Sequence, residues 1–166
     1  FSTQEFIEKA ELHVEALNHA LRDIPPDRMR MHLCWGNYEG PHHLDTPLKD
    51  VIGIAFKARP SGLSFEAANP RHGHEWKLFE EVSLPEGKLL IPGVLDSTTN
   101  FIEHPELVQQ RIVRYAGLVG REKVIAGTDC GFAHFATLTP RVDPRIAWAK
   151  LEAMVEGARL ASKELW

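Results

Sequence analysis

The sequence predicts an α/β protein of four parallel βα units, either a small doubly wound sheet or half of a (β/α)8 TIM-type barrel, and three observations predict it. Helix-like and strand-like segments alternate along the 166 residues, the order that parallel pairing through right-handed crossovers requires. The strand-like segments are short and mostly apolar, as expected of strands covered by helices. Polar, chemistry-bearing residues stand immediately after each of them, and in parallel α/β folds the carboxyl ends of the strands share one face. A doubly wound sheet can close with four strands, whereas a whole barrel takes eight and ~250 residues. The barrel reading therefore expects a first half outside residues 1–166.

In chain order, Ser2 and Glu5 have the spacing of a capping box, and Phe6, Ile7, Ala10, Val14, Leu17 and Leu21 follow at helical intervals. This helix, over residues 3–22, stops at Pro25 and Pro26 and belongs to a preceding unit. The first strand is RMRMHL, residues 28–33, and WGNYEGPHHLDTP, residues 35–47, is a long polar loop. A helix over 48–58 and a turn at Pro60-Ser61-Gly62 lead into the second strand, 62–66. The loop AANPRHGH precedes a helix near 75–82. The third strand, 88–94, is followed by the loop DSTTN and a helix over 105–119 with Pro105 in its first turn. Residues 124–128 form the last strand, and after a further loop Pro144 opens a long helix ending near Leu165. The apolar stripes of the first and last helices are expected to be core faces.

Composition narrows the function. With 43% hydrophobic and 25% charged residues the chain is an ordinary globular sequence. Its net charge of −4 and scattered Lys and Arg give no basic face for nucleic acid. No apolar run approaches the ~20 residues that span a bilayer. The N-terminus is acidic and amphipathic, without the basic and apolar regions of a signal peptide, so a cytoplasmic location is expected. The chain lacks an initiator Met, which fits a fragment or a processed product. Phosphate-loop, dinucleotide and nucleophile-elbow patterns are absent, so no organic cofactor is expected.

The two cysteines, Cys34 and Cys130, suit metal binding as well as a single bridge. His32 and Cys34 lie two residues apart at the end of the first strand, on one face of it. Glu66 ends the second strand, Asp96 follows the third, and Asp129 and Cys130 follow the fourth. Zinc takes thiolate, imidazole and carboxylate donors in a tetrahedral set, and a thiolate pair favours it over magnesium or calcium. His32, Cys34 and Cys130, with a strand-end carboxylate such as Glu66, are thus the candidate metal ligands. His72, His74 and His104 are candidates for proton transfer, and Asp96 and Asp129 for orienting ligands. His42 and His43 could also bind metal or transfer protons. Trp35, Asn37, Tyr38 and Trp76 flank the site and could line a pocket.

On these residues the chain resembles the C-terminal catalytic barrel of the cobalamin-independent methionine synthase family, from MHLCW to the last helix. That family binds zinc through a strand-end His-x-Cys, a Glu in a motif like SIET and a Cys in a motif like PDCG. The corresponding segments here are His32-Leu33-Cys34, Ser64-Phe65-Glu66-Ala67 and Thr128-Asp129-Cys130-Gly131. The resemblance implies that residues 1–166 are the second half of the barrel, completed by an absent N-terminal half or by another copy. It implies a zinc-dependent transferase that holds a small-molecule thiol as thiolate for an alkyl or methyl donor, as in homocysteine methylation. Where the synthases carry GVYDIH, this chain has Gly93-Val94-Leu95-Asp96-Ser97-Thr98, with Thr98 at the histidine position. HLCWGNYEGPHH and NPRHGHEW are more similar to the family's short branch, which includes the epoxyalkane:coenzyme M transferases. Thiol addition to an epoxide and an inactive zinc-binding half barrel are the alternatives.

Overall fold

The structure is a computed structural model that describes residues 2–133 and 141–166. Its elements are α1 (Thr3–Ala20), β1 (Arg30–Leu33), α2 (Leu48–Lys57), β2 (Gly62–Phe65), β3 (Leu89–Leu95), α3 (Pro105–Val119), β4 (Gly127–Thr128) and α4 (Pro144–Leu165). Short 3-10 turns lie at Pro26–Arg28, Glu75–Glu80 and Arg121–Lys123. The capping box is made: Ser2 Oγ accepts from the Glu5 N–H at 3.2 Å, and the Glu5 carboxylate accepts from the Ser2 N–H at 2.7 Å. The four strands pair in parallel in the order β1-β2-β3-β4. Sequence neighbours are therefore sheet neighbours, as in one half of a (β/α)8 barrel.

The sheet has two unlike faces. On its convex side Leu63, Phe65 and Leu90 pack against Leu48 and Ile52 of α2 and Tyr115 of α3. Phe65, Phe79 and Tyr115 form a ring cluster with centroids 5.8–6.0 Å apart. A second cluster joins Val94 and Leu95 to Val108 and Ile112 of α3 and Ala161 of α4. The concave side is an open cleft lined by Arg30, His32, Ser64, Ile91 and Gly127, with His32 directly opposite Ser64 in register.

Three expectations change. The segment expected as a helix near 75–82 is a 3-10 turn over Glu75–Glu80, pinned at its start by the Glu75 carboxylate, which accepts from the Leu48 N–H and binds His72. The last strand, expected over 124–128, shrinks to Gly127–Thr128, and Val124 makes only an isolated bridge to Leu90. The pairing slips between Gly93 and Leu95, where a methyl on Gly93 would overlap the Asp129 side chain. The stripe of α1 is only partly covered, and none of its described residues is buried. Its main helical neighbour is α2. The loop expected before Pro144 lies largely outside the described residues.

Candidate functional site

The ends of β1 and β4 meet across the concave face. His32 Nε2 lies 3.0 Å from Cys130 Sγ, and Cys34 Sγ lies 3.4 Å from the same sulfur. The donor atoms of these three residues all fall within 4.8 Å of one another. In a flat sheet the three inter-strand steps from β1 to β4 would keep the outer strands roughly 14 Å apart. The sheet must therefore curl like a barrel wall to bring these side chains together. Both cysteines are free thiols. Ser64 Oγ stands 3.0 Å from His32 Nδ1 and orients the ring, and the Gly36 N–H donates to Cys34 Sγ at 3.2 Å.

Electrostatics favours the neutral forms here. Burial pushes the Cys130 thiol far up, and the Cys34 sulfur and the Glu66 charge push the same way. Burial lowers His32, against the pull of Glu66. A divalent cation reverses the balance for the thiols, because a coordinating thiol is deprotonated outright. Two sulfurs and an imidazole nitrogen fit zinc by chemistry. They also fit by spacing, since donors around a tetrahedral zinc stand about 3.6–3.8 Å apart, within reach of small side-chain rotations from the observed positions.

Glu66, the expected fourth ligand, stands beside this trio. It is almost fully buried. Its Oε1 accepts from the Trp35 N–H at 3.0 Å and lies 3.7 Å from Cys130 Sγ, while its Oε2 accepts from Asn69 Nδ2 at 2.9 Å. Asp129 is fully buried and ties the two strand ends together. It accepts the backbone N–H groups of Ala67, Ala68 and Asn69, each at 2.8 Å, and Asn69 Nδ2 at 3.0 Å. Burial raises this carboxyl to about 6 against those donors.

Asp96 sits at the end of β3 with its Oδ1 held by the N–H and hydroxyl of Thr98, at 2.9 and 2.8 Å. Its own N–H donates to Glu103 Oε1 at 2.8 Å, and its carbonyl accepts from Lys150 Nζ at 3.0 Å. Lys150, fully buried on α4, also pairs with Glu103 Oε2 at 2.8 Å. Beside Glu66 and Asp96 opens a cavity of about 420 Å³, walled by Tyr38, His42, His43 and Arg71 among others.

The loop 35–47 is fastened over this region. His72 Nδ1 lies 2.9 Å from Glu75 Oε2 and its Nε2 lies 3.2 Å from Asp45 Oδ2. Asp45 Oδ2 also meets His42 Nδ1 at 2.9 Å. The Trp35 ring stacks on His72 with centroids 4.4 Å apart. Burial alone would lower His72, but its bonds to the Glu75 and Asp45 carboxylates outweigh that and raise it.

Among the sequence candidates the structure thus gathers His32, Cys34, Glu66, Cys130 and Asp129, with Asp96, His42, His43, Asn37 and Tyr38 on the adjoining cavity. It does not bring His74 there: that residue is exposed in a separate cleft with Pro47 and Lys49. His72 has both ring nitrogens engaged by carboxylates. His104 caps α3 by accepting from the Glu106 N–H at 3.2 Å. Trp76 packs against the convex-side core under Arg114, whose guanidinium lies 4.7 Å from the ring. Sequence reasoning missed Asn69, Asp45, Glu75, Glu103 and Lys150. Signals existed for two of them: Asn69-Pro70 is a turn dipeptide, and Lys150 shares a helical stripe with Ala153, Gly157 and Ala161.

No protein-family model matches the chain. It is 26% identical to the 2-hydroxypropyl-CoM lyase of Xanthobacter autotrophicus, over 92% of this chain and 45% of that protein. It is 27% identical to a methionine synthase of Thermococcus kodakarensis, over 95% of this chain and 40% of that protein. A methionine synthase of Saccharolobus islandicus is 30% identical over 92% of this chain and 40% of its own length. In fold the chain is similar to a B12-independent methionine synthase from Shewanella sp. W3-18-1 solved with selenomethionine. The TM-score is 0.69 at 22% identity, covering 92% of this chain and 43% of that one. The chain therefore spans 40–45% of the length of these relatives.

Proposed function

We propose, for a chain homologous to the cobalamin-independent methionine synthase family, that residues 1–166 are the C-terminal, zinc-holding half of a barrel transferase that alkylates or methylates a thiol. One observation carries the reading. The two cysteines of the sequence stand at the ends of the two outer strands, and the curl of the sheet brings them together with His32.

His32, Cys34 and Cys130 would hold the ion, with Glu66 beside them as the fourth donor. Zinc bound there supplies one thing: a substrate thiol, ordinarily titrating near ~8.5, is kept as thiolate at neutral pH. The protein's own groups do the rest. Ser64 fixes the imidazole, and the Gly36 N–H steadies the Cys34 sulfur. The cavity beside Glu66 takes the thiol's body and the alkyl donor, and holding them in line is the main catalytic task. Asp96 orients the bound molecule: Thr98 holds its Oδ1 and Glu103 its N–H, and its Oδ2, which has no hydrogen-bond partner among the described residues, would face the ligand. The histidine position of GVYDIH thus becomes a hydroxyl that holds Asp96.

The synthase-like relatives favour a methyl donor such as that used on homocysteine, and the CoM-lyase relative favours thiol addition to an epoxide as the second reading. Supplying the zinc-loaded protein with a thiol and either electrophile separates the two by product. The proposal itself is tested with Cys130→Ser. A hard hydroxyl is a poor replacement for thiolate, so the variant is expected to lose both its zinc, by elemental analysis, and thiol alkylation. A variant that retains zinc and turnover overturns the proposal.

A further inference from the structure

We propose that Asn69 is a positioning residue for the metal: its amide holds the Glu66 carboxylate beside the two thiols and so sets how tightly the ion is bound. The assignment rests on the zinc reading above.

An asparagine side chain offers two N–H donors and one carbonyl acceptor, and Asn69 uses all of them. Its Oδ1 accepts from the backbone N–H groups of Arg71 and His72, each at 3.0 Å. Its Nδ2 donates to Glu66 Oε2 at 2.9 Å and to Asp129 Oδ2 at 3.0 Å. Shaping the loop needs only the oxygen, and Asp or Ser serves that purpose as well as Asn. The two donors do something the loop does not need. They face two acidic side chains, Glu66 on the second strand end and Asp129 next to Cys130, and bridge them. Only an amide can accept from the loop and donate to both acids at once.

The other oxygen of Glu66 is held by the same assembly. Oε1 accepts from the Trp35 N–H, the Trp35 ring rests on His72, and the His72 N–H is bound by Asn69 Oδ1. Both arms on the carboxylate therefore return to Asn69. Without the Nδ2 donor, Glu66 keeps one fixed oxygen, and its terminal torsion is intrinsically broad. Partners that orient metal ligands typically contribute 10–100-fold to metal affinity.

The test is zinc affinity, read by competition with a chromogenic chelator. Asn69→Ser keeps an oxygen for the loop and removes the amide nitrogen that bridges Glu66 and Asp129, so its zinc Kd is expected to rise about 10–100-fold with an unchanged far-ultraviolet circular dichroism spectrum. Asn69→Asp is the second variant. It also keeps the loop-capping oxygen but sets a charge against Glu66, and its affinity is expected to fall at least as far. The same substitutions in a Glu66→Gln background separate positioning from mere structure. If Asn69 acts through Glu66, Asn69→Ser shifts Kd less than about threefold there. Equal zinc affinity in wild type and Asn69→Ser overturns the assignment, as does the same loss in both backgrounds. A wild-type protein that takes up no zinc overturns the zinc reading itself, a result distinct from either.

Discussion

Lys150 reaches the candidate site from the far side of the fold. Its ammonium and the Glu103 carboxylate grip the two backbone ends of Asp96, one at the carbonyl and one at the N–H. Removing one partner of a buried ion pair strands the other charge and costs roughly 3–5 kcal/mol, whereas replacing both with apolar side chains is often close to neutral. Lys150→Met is therefore expected to lower the unfolding free energy by about 3–5 kcal/mol, and Lys150→Met with Glu103→Leu to recover only part of it, because the Asp96 N–H and carbonyl then lose their partners. Urea denaturation checks both, and a single variant as stable as wild type would contradict the pairing. The metal trio was readable in the sequence because His32, Cys34 and Cys130 each follow or end a strand, and strand ends are fixed by local pattern. Glu103 was not readable as the partner of Lys150, since 47 residues separate them and only the docking of α4 joins them. His74 sits two residues beyond His72, yet the turn closed on the Asn69 carbonyl, just before the 3-10 segment, leaves one exposed and the other under Trp35.

The elements that were legible are those held by an apolar period. Strand order and the spans of α2, α3 and α4 follow from alternation and 3.6-residue spacing. The segment 75–82 was misread because its form is decided by long-range polar anchors: Glu75 accepts from the Leu48 N–H at 2.8 Å and binds His72. The same anchors make the fastening of loop 35–47 sensitive to pH. His72 is faced by Glu75, by Asp45, which it shares with His42, and at longer range by Glu66. Its pKa is raised above the ordinary 6.5 in the folded protein. A raised value stabilises fully below the unfolded pKa and is lost as pH climbs through the folded one. The stability gap between wild type and His72→Gln is thus expected to be largest below about pH 6.5 and to shrink above it. A gap that stays constant across that range would show that His72 does not titrate in this network. At the α3–α4 contact the determinant is steric. A methyl on Gly157 would collide with the Val108 side chain, so Gly157→Ala is expected to cost about 1–3 kcal/mol despite alanine's higher helix propensity. An unchanged melting temperature would argue against that close approach.

At the scale of the whole molecule the fold is an arc rather than a closed ring, and the open parts are the parts a barrel would cover. β1 and β4 are edge strands with no second neighbour among the described residues. The concave face, which in a closed barrel is filled by layers of inward side chains, is an open cleft. On α4, Trp148 and Val155 lie seven residues apart on one side of the helix and are 69% and 68% exposed, while the opposite side, with Ala153, Gly157 and Ala161, is buried. A long helix needs two such faces only when it packs on a neighbour at each side, as the helices in a barrel's outer ring do. Exposed edges and large apolar side chains promote association. The 166-residue chain alone is therefore expected to associate with rising concentration, giving a light-scattering mass above 18.7 kDa. If the α4 face takes part, Trp148→Lys with Val155→Lys lowers that mass without unfolding α4, whose buried stripe the substitutions do not touch. Association unaffected by this pair would assign it to the strand edges or the concave face instead. A cooperatively folded monomer of 18.7 kDa at every concentration would mean that four βα units satisfy their own surfaces, and the expectation of a completing half would fall with it.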